Sequence, residues 1–504
     1  MFSKILIANR GEIAVRILRA CREMDIRTVA VYSETDSHAL HVQLADEAVC
    51  IGPPPARESY LQSEKIIQAA KETGAQAIHP GYGFLSENAT FAQAVTDAGL
   101  IFIGPPASAI EAMGDKAHAR ALMQKAGVPV VPGYQGDDQT EVTLTAEAAR
   151  IGYPILVKAA AGGGGKGMRI AQTPADLPEA LAAARREALH AFGDDQLILE
   201  KYLAEARHVE IQILADQHGH TLHLNERECS IQRRHQKIIE ETPSPLLDEA
   251  LRAEMGAAAI AAAQAVGYTN AGTIEFIVDP HTRAHYFLEM NTRLQVEHPI
   301  TEFITGLDLV QWQIKIAAGH SLGPDSPTPL LPHTLSPRGH AIEVRLYAED
   351  PASGFLPASG PLLTFLPPTG PGVRVDTGFQ TGDTLTTHYD PLIAKIIVHA
   401  EDRPAAIRKM QTALHDTVLL GLMTNLEFLQ TVLAHPIFQA GEATTRFIET
   451  HLPTWQPDPE LPLEVLLAAA LTNQPAHQPI SQRPNQPYTP WTALPNFRLG
   501  QRNP

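Results

Sequence analysis

The chain of 504 residues is 44% hydrophobic and 19% charged, an ordinary globular balance with room for several domains. A net charge of −17 argues against a nucleic-acid-binding surface, and three widely spaced cysteines (Cys21, Cys50 and Cys229) exclude a disulfide scaffold. The apolar run 4–8 is stopped at once by Asn9-Arg10-Gly11-Glu12, and the Ala-rich stretch 256–267 is too short and interrupted to span a membrane, so a cytoplasmic protein with no membrane partner is expected.

Residues 4–8 and 28–32 are strand-length apolar runs flanking an apolar-periodic segment, 13–24. Strands at 77–79 and 100–103, each preceded by a helical stretch (63–73 and 88–98), repeat the pattern. Alternating strands and helices imply a parallel-sheet α/β domain over about residues 1–115. The turn 9–12 holds one glycine, which is not a dinucleotide fingerprint. The loop His79-Pro80-Gly81-Tyr82-Gly83-Phe84 falls where a sheet's carboxyl-end loop would lie, an expected ligand edge.

Asp115-Lys116 opens a helix ending near Gly127. A strand, 153–158, ends in Lys158 and runs into a loop with four consecutive glycines, 162–165, then Lys166-Gly167-Met168. Its backbone N–H groups can approach phosphate oxygens, and the flanking lysines favour a phosphate-covering flap over a linker, although the spacing is not that of a Walker A loop. The strand 197–203 carries Glu200-Lys201 at its end, which suits either an adenine edge or an ordinary salt-bridged terminus. Strands at 208–213 and 221–225 follow. The run 226–237 then concentrates Arg, His, Gln and Lys in an otherwise acidic chain, which makes His235 and Lys237 candidate anion ligands.

Strands 272–278 and 285–289 flank the turn 279–283. Glu275 and Glu289 lie equally far from Thr282, so a symmetric hairpin places them opposite each other. Two carboxylates ~5 Å apart repel by roughly 3 kcal/mol at an effective dielectric of ~20, which calls for a cation between them. Glu-Glu-Asn oxygens suit Mg²⁺ or Mn²⁺ rather than zinc. Glu289, Asn291, Arg293, Gln295 and Glu297 also recur at every second position, and an extended segment would put all five on one face.

Pro324 to Pro337 reads as a linker. Strands at 339–346, 361–365, 373–376 and 392–398 and a helix at 403–414 imply an α+β domain over 331–450. The stretch 451–504 has one Leu/Ala helix, 463–471, and a tail rich in Pro, Gln and Asn that lacks the apolar content to fold alone.

The stretches Lys4–Arg16, His79–Asn88, Gly162–Met168, Arg233–Lys237 and Glu289–Pro299 resemble the biotin carboxylase family, ATP-grasp enzymes of the biotin-dependent carboxylases. The match runs to about residue 450. It implies an N-terminal α/β domain (1–115), an ATP-grasp core (116–330) with a glycine-rich lid (about 132–204), and a C-terminal α+β domain (331–450). It also implies that ATP and bicarbonate form carboxyphosphate and ADP, with the carboxyl group passing to N1′ of biotin on a carrier. By the same resemblance Lys116, Lys158 and His208 hold phosphate or ribose, and the loop Gly163, Gly164, Gly165 and Met168 covers the phosphates. Glu200, Lys201 and Leu203 meet adenine, and Gln232 and His235 complete the nucleotide site. Glu275 and Glu289, with Asn291, hold two divalent ions. Lys237, Arg293, Gln295 and the Val296 backbone bind bicarbonate, Glu297 is its base, and Arg345 stabilises the biotin enolate, with Tyr82 and Asp390 beside the biotin ring.

The sequence contains no Met-Lys-Met or Met-Lys-Leu motif, so the expected partners are a separate biotin carboxyl carrier protein and carboxyltransferase subunits, with a homodimer as the assembly. A free-standing subunit of acetyl-CoA carboxylase is the leading expectation. The tail 490–499 resembles the junction in longer α chains of the methylcrotonyl or propionyl type, a competing one. A different ATP-grasp carboxylate ligase, or a catalytically silent scaffold, would also accommodate parts of the pattern.

Overall fold

Strand-length apolar runs buried on both faces build the first sheet, and Ile5, Leu6 and Ile7 are fully enclosed. The computed structural model describes residues 1–160, 168–234, 236–326, 329–330 and 336–458, the side chains of 116–117 and 191–192 excepted. Residues 1–455 form one compact unit. The loop glycines 163–165, His235, the Lys116 side chain and the 463–471 helix therefore lie outside what is described.

The first sheet is parallel, in the order Glu47–Gly52, Arg27–Ser33, Lys4–Ile7, Ala77–His79, Ile101–Phe102. Its first strand is not anticipated by the sequence pattern. It is an edge strand with alternating burial, and its run is broken at once by Pro53 to Pro55. The chain switches sides between strands Lys4–Ile7 and Ala77–His79, so their carboxyl ends open a crevice. Asn9 Nδ2 donates to the carbonyls of Pro80 and Tyr82 at 2.7 Å each, which anchors the 79–84 loop there. Gly81 has φ +65°, and a Cβ would meet Asn9 Nδ2 at 3.0 Å, so only glycine fits.

A separate four-stranded antiparallel sheet, in the order Gly133–Tyr134, Leu197–Lys201, Ile155–Ala159, Arg169–Ala171, is covered by helices Glu141–Ile151 and Leu177–Phe192. Its interior (Leu144, Ala148, Ile155, Val157, Leu181, Leu199) is a hydrophobic cluster of its own.

The largest sheet is antiparallel and crosses the expected boundary near 330. Its order is His285–Asn291, Asn270–Val278, Arg207–Ala215, Thr221–Arg233, Gln236–Thr242, His340–Tyr347, Leu392–Ala400, Val373–Thr377. The strand expected to end at 225 continues to Arg233. Its Glu226, Arg227 and Glu228 are buried rather than solvated, because each has a partner: Glu226 with Arg252 at 2.7 Å, Arg227 with Glu210 at 2.5 Å, Glu228 with Arg207 at 3.0 Å. Helix Arg403–Asp416, N-capped by Asp402, packs Ala406, Ile407, Met410 and Leu414 into one cluster with Ile342, Val344, Ile396 and Val398 of the sheet.

Glu240 and Glu343 oppose each other across this ladder, both fully buried. Neither Glu343 oxygen has a hydrogen-bond partner among the described residues. Burial, against the pull of Lys395 and with the push of Glu240, holds its pKa well above the ordinary 4.5. The folded chain thus keeps a proton that the unfolded chain releases above 4.5, and this acid costs about 1.4 kcal/mol per pH unit from there until the folded pKa is passed. Glu343→Gln should match wild-type stability near pH ~5 and exceed it increasingly toward pH ~8. Denaturant midpoints across that range check this, and a pH-independent difference would mean that Glu343 is ionised.

Candidate active site

Lys237, on the strand Gln236–Thr242, places its ammonium among three carboxylates from three segments. Nζ donates to Glu210 Oε2 at 2.5 Å, Glu275 Oε1 at 2.8 Å and Glu297 Oε1 at 2.8 Å. Burial opposes its charge, but Glu210, Glu275 and Glu297 outweigh burial and hold its pKa well above the ordinary lysine value. The second oxygen of Glu297 accepts from Arg345 Nη2 at 2.9 Å, and Arg345 Nε reaches Glu240 Oε1 at 2.6 Å. Glu297 is fully enclosed, yet Lys237 and Arg345 overcome its desolvation and keep its pKa well below the ordinary carboxylate value. It is a shielded, ionised carboxylate held by two cations.

The segment leading to Glu297 is not the extended face expected from its period-two pattern. The strand ends at Asn291, residues 292–297 turn irregularly, and Glu297 caps helix His298–Thr305, which carries Pro299 in its first turn. The turn still converges on the acids. Asn291 Nδ2 and Gln295 Nε2 donate to Glu275 Oε1 at 2.8 and 3.3 Å, and Arg293 Nη2 donates to Asn291 Oδ1 at 3.1 Å.

Glu275 and Glu289 are register partners. The outer rungs pair Val278 with His285 and Phe276 with Phe287. A bulge at Leu288 then shifts the ladder by one residue and brings the two acids together. Beside them His208 Nε2 lies 3.0 Å from Glu275 Oε2, a contact that raises the imidazole pKa against burial. His208, Glu210 and Glu275 also bring potential ligand atoms within 4.8 Å of one another. The Glu275, Glu289 and Asn291 side chains supply the hard oxygen donors that fit Mg²⁺ or Mn²⁺.

Between the lid sheet and the hairpin lies a cleft of about 320 Å³ lined by Arg120, Lys158 and Glu200 on one side and Glu289, Asn291 and Glu87 on the other. Glu200 joins Lys158 Nζ at 2.6 Å and Arg120 Nη1 at 3.0 Å. Lys201 Nζ donates to the carbonyls of Gly152 and Tyr153 at 2.9 and 2.7 Å, so its side chain is committed to its own sheet domain. Met168 and Leu203 are half-buried, and Gln232 pairs in register with Lys237.

Residues 1–110 match the biotin carboxylase N-terminal domain family, 115–324 the carbamoyl-phosphate synthase L chain ATP binding domain, and 343–450 the biotin carboxylase C-terminal domain. The biotin carboxylase of Halalkalibacterium halodurans is 52% identical over 455 residues, 90% of this chain and 98% of that protein. The chain belongs to the biotin carboxylase family. The mitochondrial methylcrotonoyl-CoA carboxylase α subunit of Dictyostelium discoideum is 51% identical over 500 residues, 99% of this chain and 70% of that protein. The chain spans 60–70% of the length of the methylcrotonoyl-CoA carboxylase α subunits it matches. Among solved structures, the biotin carboxylase domain dimer of Hydrogenobacter thermophilus 2-oxoglutarate carboxylase, in complex with MgADP, ADP and bicarbonate, superposes with a TM-score of 0.82 at 45% identity, covering 91% of this chain and 99% of that one.

The fold is therefore the biotin carboxylase fold, with a parallel-sheet N-terminal domain, an antiparallel ATP-grasp domain and a C-terminal domain, and the chain is an ATP-grasp enzyme. On this biotin carboxylase scaffold Tyr82 directs its hydroxyl to Glu12, while Asp390 is exposed and accepts from the Leu392 amide at 2.8 Å. Arg293 Nε is held by Glu87 at 2.8 Å. The sequence pattern does not single out Glu87, Arg120, Glu210, Arg227 or Glu240. Glu210 and Gln212 do leave a signal, as polar residues alternating with Val209, Ile211 and Ile213 in a strand that is buried throughout. No described helix is long and apolar enough to cross a membrane.

Proposed function

We propose that the chain carboxylates biotin with ATP and bicarbonate. The observation that carries this reading is Glu297: a buried, ionised carboxylate bridged by Lys237 and Arg345 and one residue from the Val296 backbone, beside the Glu275–Glu289 pair. A bicarbonate oxygen attacks the γ-phosphorus of ATP, the bicarbonate proton passes to Glu297, and the bond to ADP breaks to leave carboxyphosphate. Lys237, Arg293 and Gln295 orient the anion. Lys158 and His208, with Lys116, meet phosphate or ribose, and Glu200, Lys201 and Leu203 border the adenine. Glu275, Glu289 and Asn291 would hold the divalent ions, which supply charge neutralisation at the phosphates. The C–O bond of carboxyphosphate then breaks to release phosphate, which carries away the N1′ proton of biotin, and Arg345 stabilises the resulting enolate as the carboxyl group bonds to N1′, with Tyr82 and Asp390 beside the ring. Support for this ligand set comes from the Hydrogenobacter thermophilus relative, whose complex holds MgADP and bicarbonate.

A biotin carrier, carboxyltransferase subunits and a dimer complete the proposed assembly. Of the acyl-CoA readings, the methylcrotonyl type is favoured over the acetyl-CoA type that the sequence alone suggests. The match to the Dictyostelium discoideum α subunit covers 99% of this chain, whereas that to the Halalkalibacterium halodurans biotin carboxylase covers 90%. ADP release should require bicarbonate and rise on addition of free biotin. ATP hydrolysis indifferent to both would move the reading to another ATP-grasp ligase.

A further inference from the structure

Lys395 carries no role in the reaction as derived, yet its ammonium stands where three parts of the site meet. It is fully buried on the strand Leu392–Ala400, in register with Arg345 across the ladder. Nζ donates to the Val296 carbonyl at 2.8 Å and lies 3.3 Å from Glu12 Oε1 and 3.7 Å from Asp376 Oδ2. Glu12 belongs to the first turn of helix Gly11–Glu23, and its Oε1 accepts the Tyr82 hydroxyl.

Charge neutralisation, which Glu12 and the buried Glu343 also draw on, accounts for only part of this placement. Asp376 already receives Arg374 through two hydrogen bonds, at 2.9 and 2.7 Å. The shortest contact of Lys395 is to a backbone carbonyl within the irregular turn 292–297, which has no strand ladder of its own to hold it. The contact with the N-terminal helix is tight: a Cβ on Gly378 would lie 2.5 Å from the Gly11 carbonyl carbon and 2.7 Å from the Glu12 nitrogen. Glu12 therefore approaches Lys395 from a closely fitted backbone.

We propose that Lys395 is a positioning residue that fixes the Gln295-Val296-Glu297 turn and couples it, through Glu12, to Tyr82 on the biotin side. The inference rests on the proposed function, in which Glu297 is the base and Tyr82 borders biotin. A displacement of about 1 Å in a group that positions a reactant can cost about 100-fold in rate, so a carbonyl anchor one residue from the base is a sensitive point.

The test is steady-state ADP release by the full chain against bicarbonate and against ATP, with and without free biotin, for wild type, Lys395→Met, Glu12→Gln, Tyr82→Phe and the Glu12→Gln/Tyr82→Phe double variant. Lys395→Met should raise the KM for bicarbonate by about tenfold or more and lower kcat by a similar factor, while ADP affinity at equilibrium stays within about twofold. Glu12→Gln keeps the shape of the acid and decides the question if Lys395→Met does not fold. It should weaken biotin stimulation, and its effect should not multiply with that of Tyr82→Phe. An unchanged bicarbonate KM in folded Lys395→Met overturns the proposal, as do independent effects in the double variant. A wild type without bicarbonate-dependent ADP release is a distinct outcome, because it removes the functional reading on which the inference stands.

Discussion

Glu297→Gln is expected to lower bicarbonate-dependent kcat/KM by about 10²–10⁴-fold while ATP and ADP still bind. The amide keeps the shape of the side chain and loses the lone-pair basicity that takes the bicarbonate proton. Structure should survive the change. Lys237 keeps Glu210 and Glu275, and Arg345 keeps Glu240, so neither cation is stranded. Because the Glu297 pKa is held well below its ordinary value, its ionised form stabilises the fold at neutral pH, so Glu297→Gln is expected to lose part of that stability while still folding. Because Lys237 and Arg345 hold the Glu297 pKa well below its ordinary value, the base is ionised throughout the neutral range, and any acidic limb in the wild-type profile belongs to another group. Single-turnover ADP formation with saturating bicarbonate measures the effect. A loss below about tenfold would mean that Glu297 holds its neighbours in place and does not take the proton.

The parts of this architecture that local pattern controls were legible. Helix 63–73 and strand 77–79 coincide with their expected bounds, because periodicity and the αL cap at Gly74 are written within a dozen residues. The opposition of Glu275 and Glu289 was also readable, although it holds for a reason that symmetry alone does not supply. The ladder starts one residue out of that register and Leu288 bulges to restore it. The turn 292–297 was not legible from alternation, because Pro299 and the helix behind it end the strand early. The buried acids escaped for a deeper reason. Glu240 looks like an ordinary strand charge until strands about a hundred residues apart pair and bring Arg345 alongside, and Glu210 until the neighbouring strands bring Arg227 and Lys237 to it. That convergence depends on the sheet continuing across the Pro-rich stretch near 330, where composition argues for a break.

The largest expected loss of stability falls on Arg227, a residue with no assigned chemistry. Its side chain is fully buried, and its guanidinium donates to Glu210 Oε1 at 2.5 Å, Gln212 Oε1 at 2.6 Å, Thr301 Oγ1 at 3.0 Å and Thr273 Oγ1 at 3.1 Å. These partners lie on the neighbouring strand Arg207–Ala215, on the strand Asn270–Val278 beyond it and on the helix that follows Glu297, so one planar fork ties that helix to the sheet. Arg227→Met fills much of the volume but leaves Glu210 a buried carboxylate facing Lys237 alone, and the expected cost is about 3–5 kcal/mol. Arg227→Lys keeps the charge but cannot serve four acceptors, and its loss should be intermediate. Adding Glu210→Gln to Arg227→Met should recover part of the loss, because the stranded charge goes with it. Urea denaturation of the three variants measures the sequence of effects. If Arg227→Met costs under about 1 kcal/mol, Glu210 is already protonated in the wild-type fold, in keeping with the upward push that burial and Glu297 exert on it. Lys237 would then be neutralised by Glu275 and Glu297 alone, and bicarbonate would meet a more positive site than one in which Glu210 is ionised.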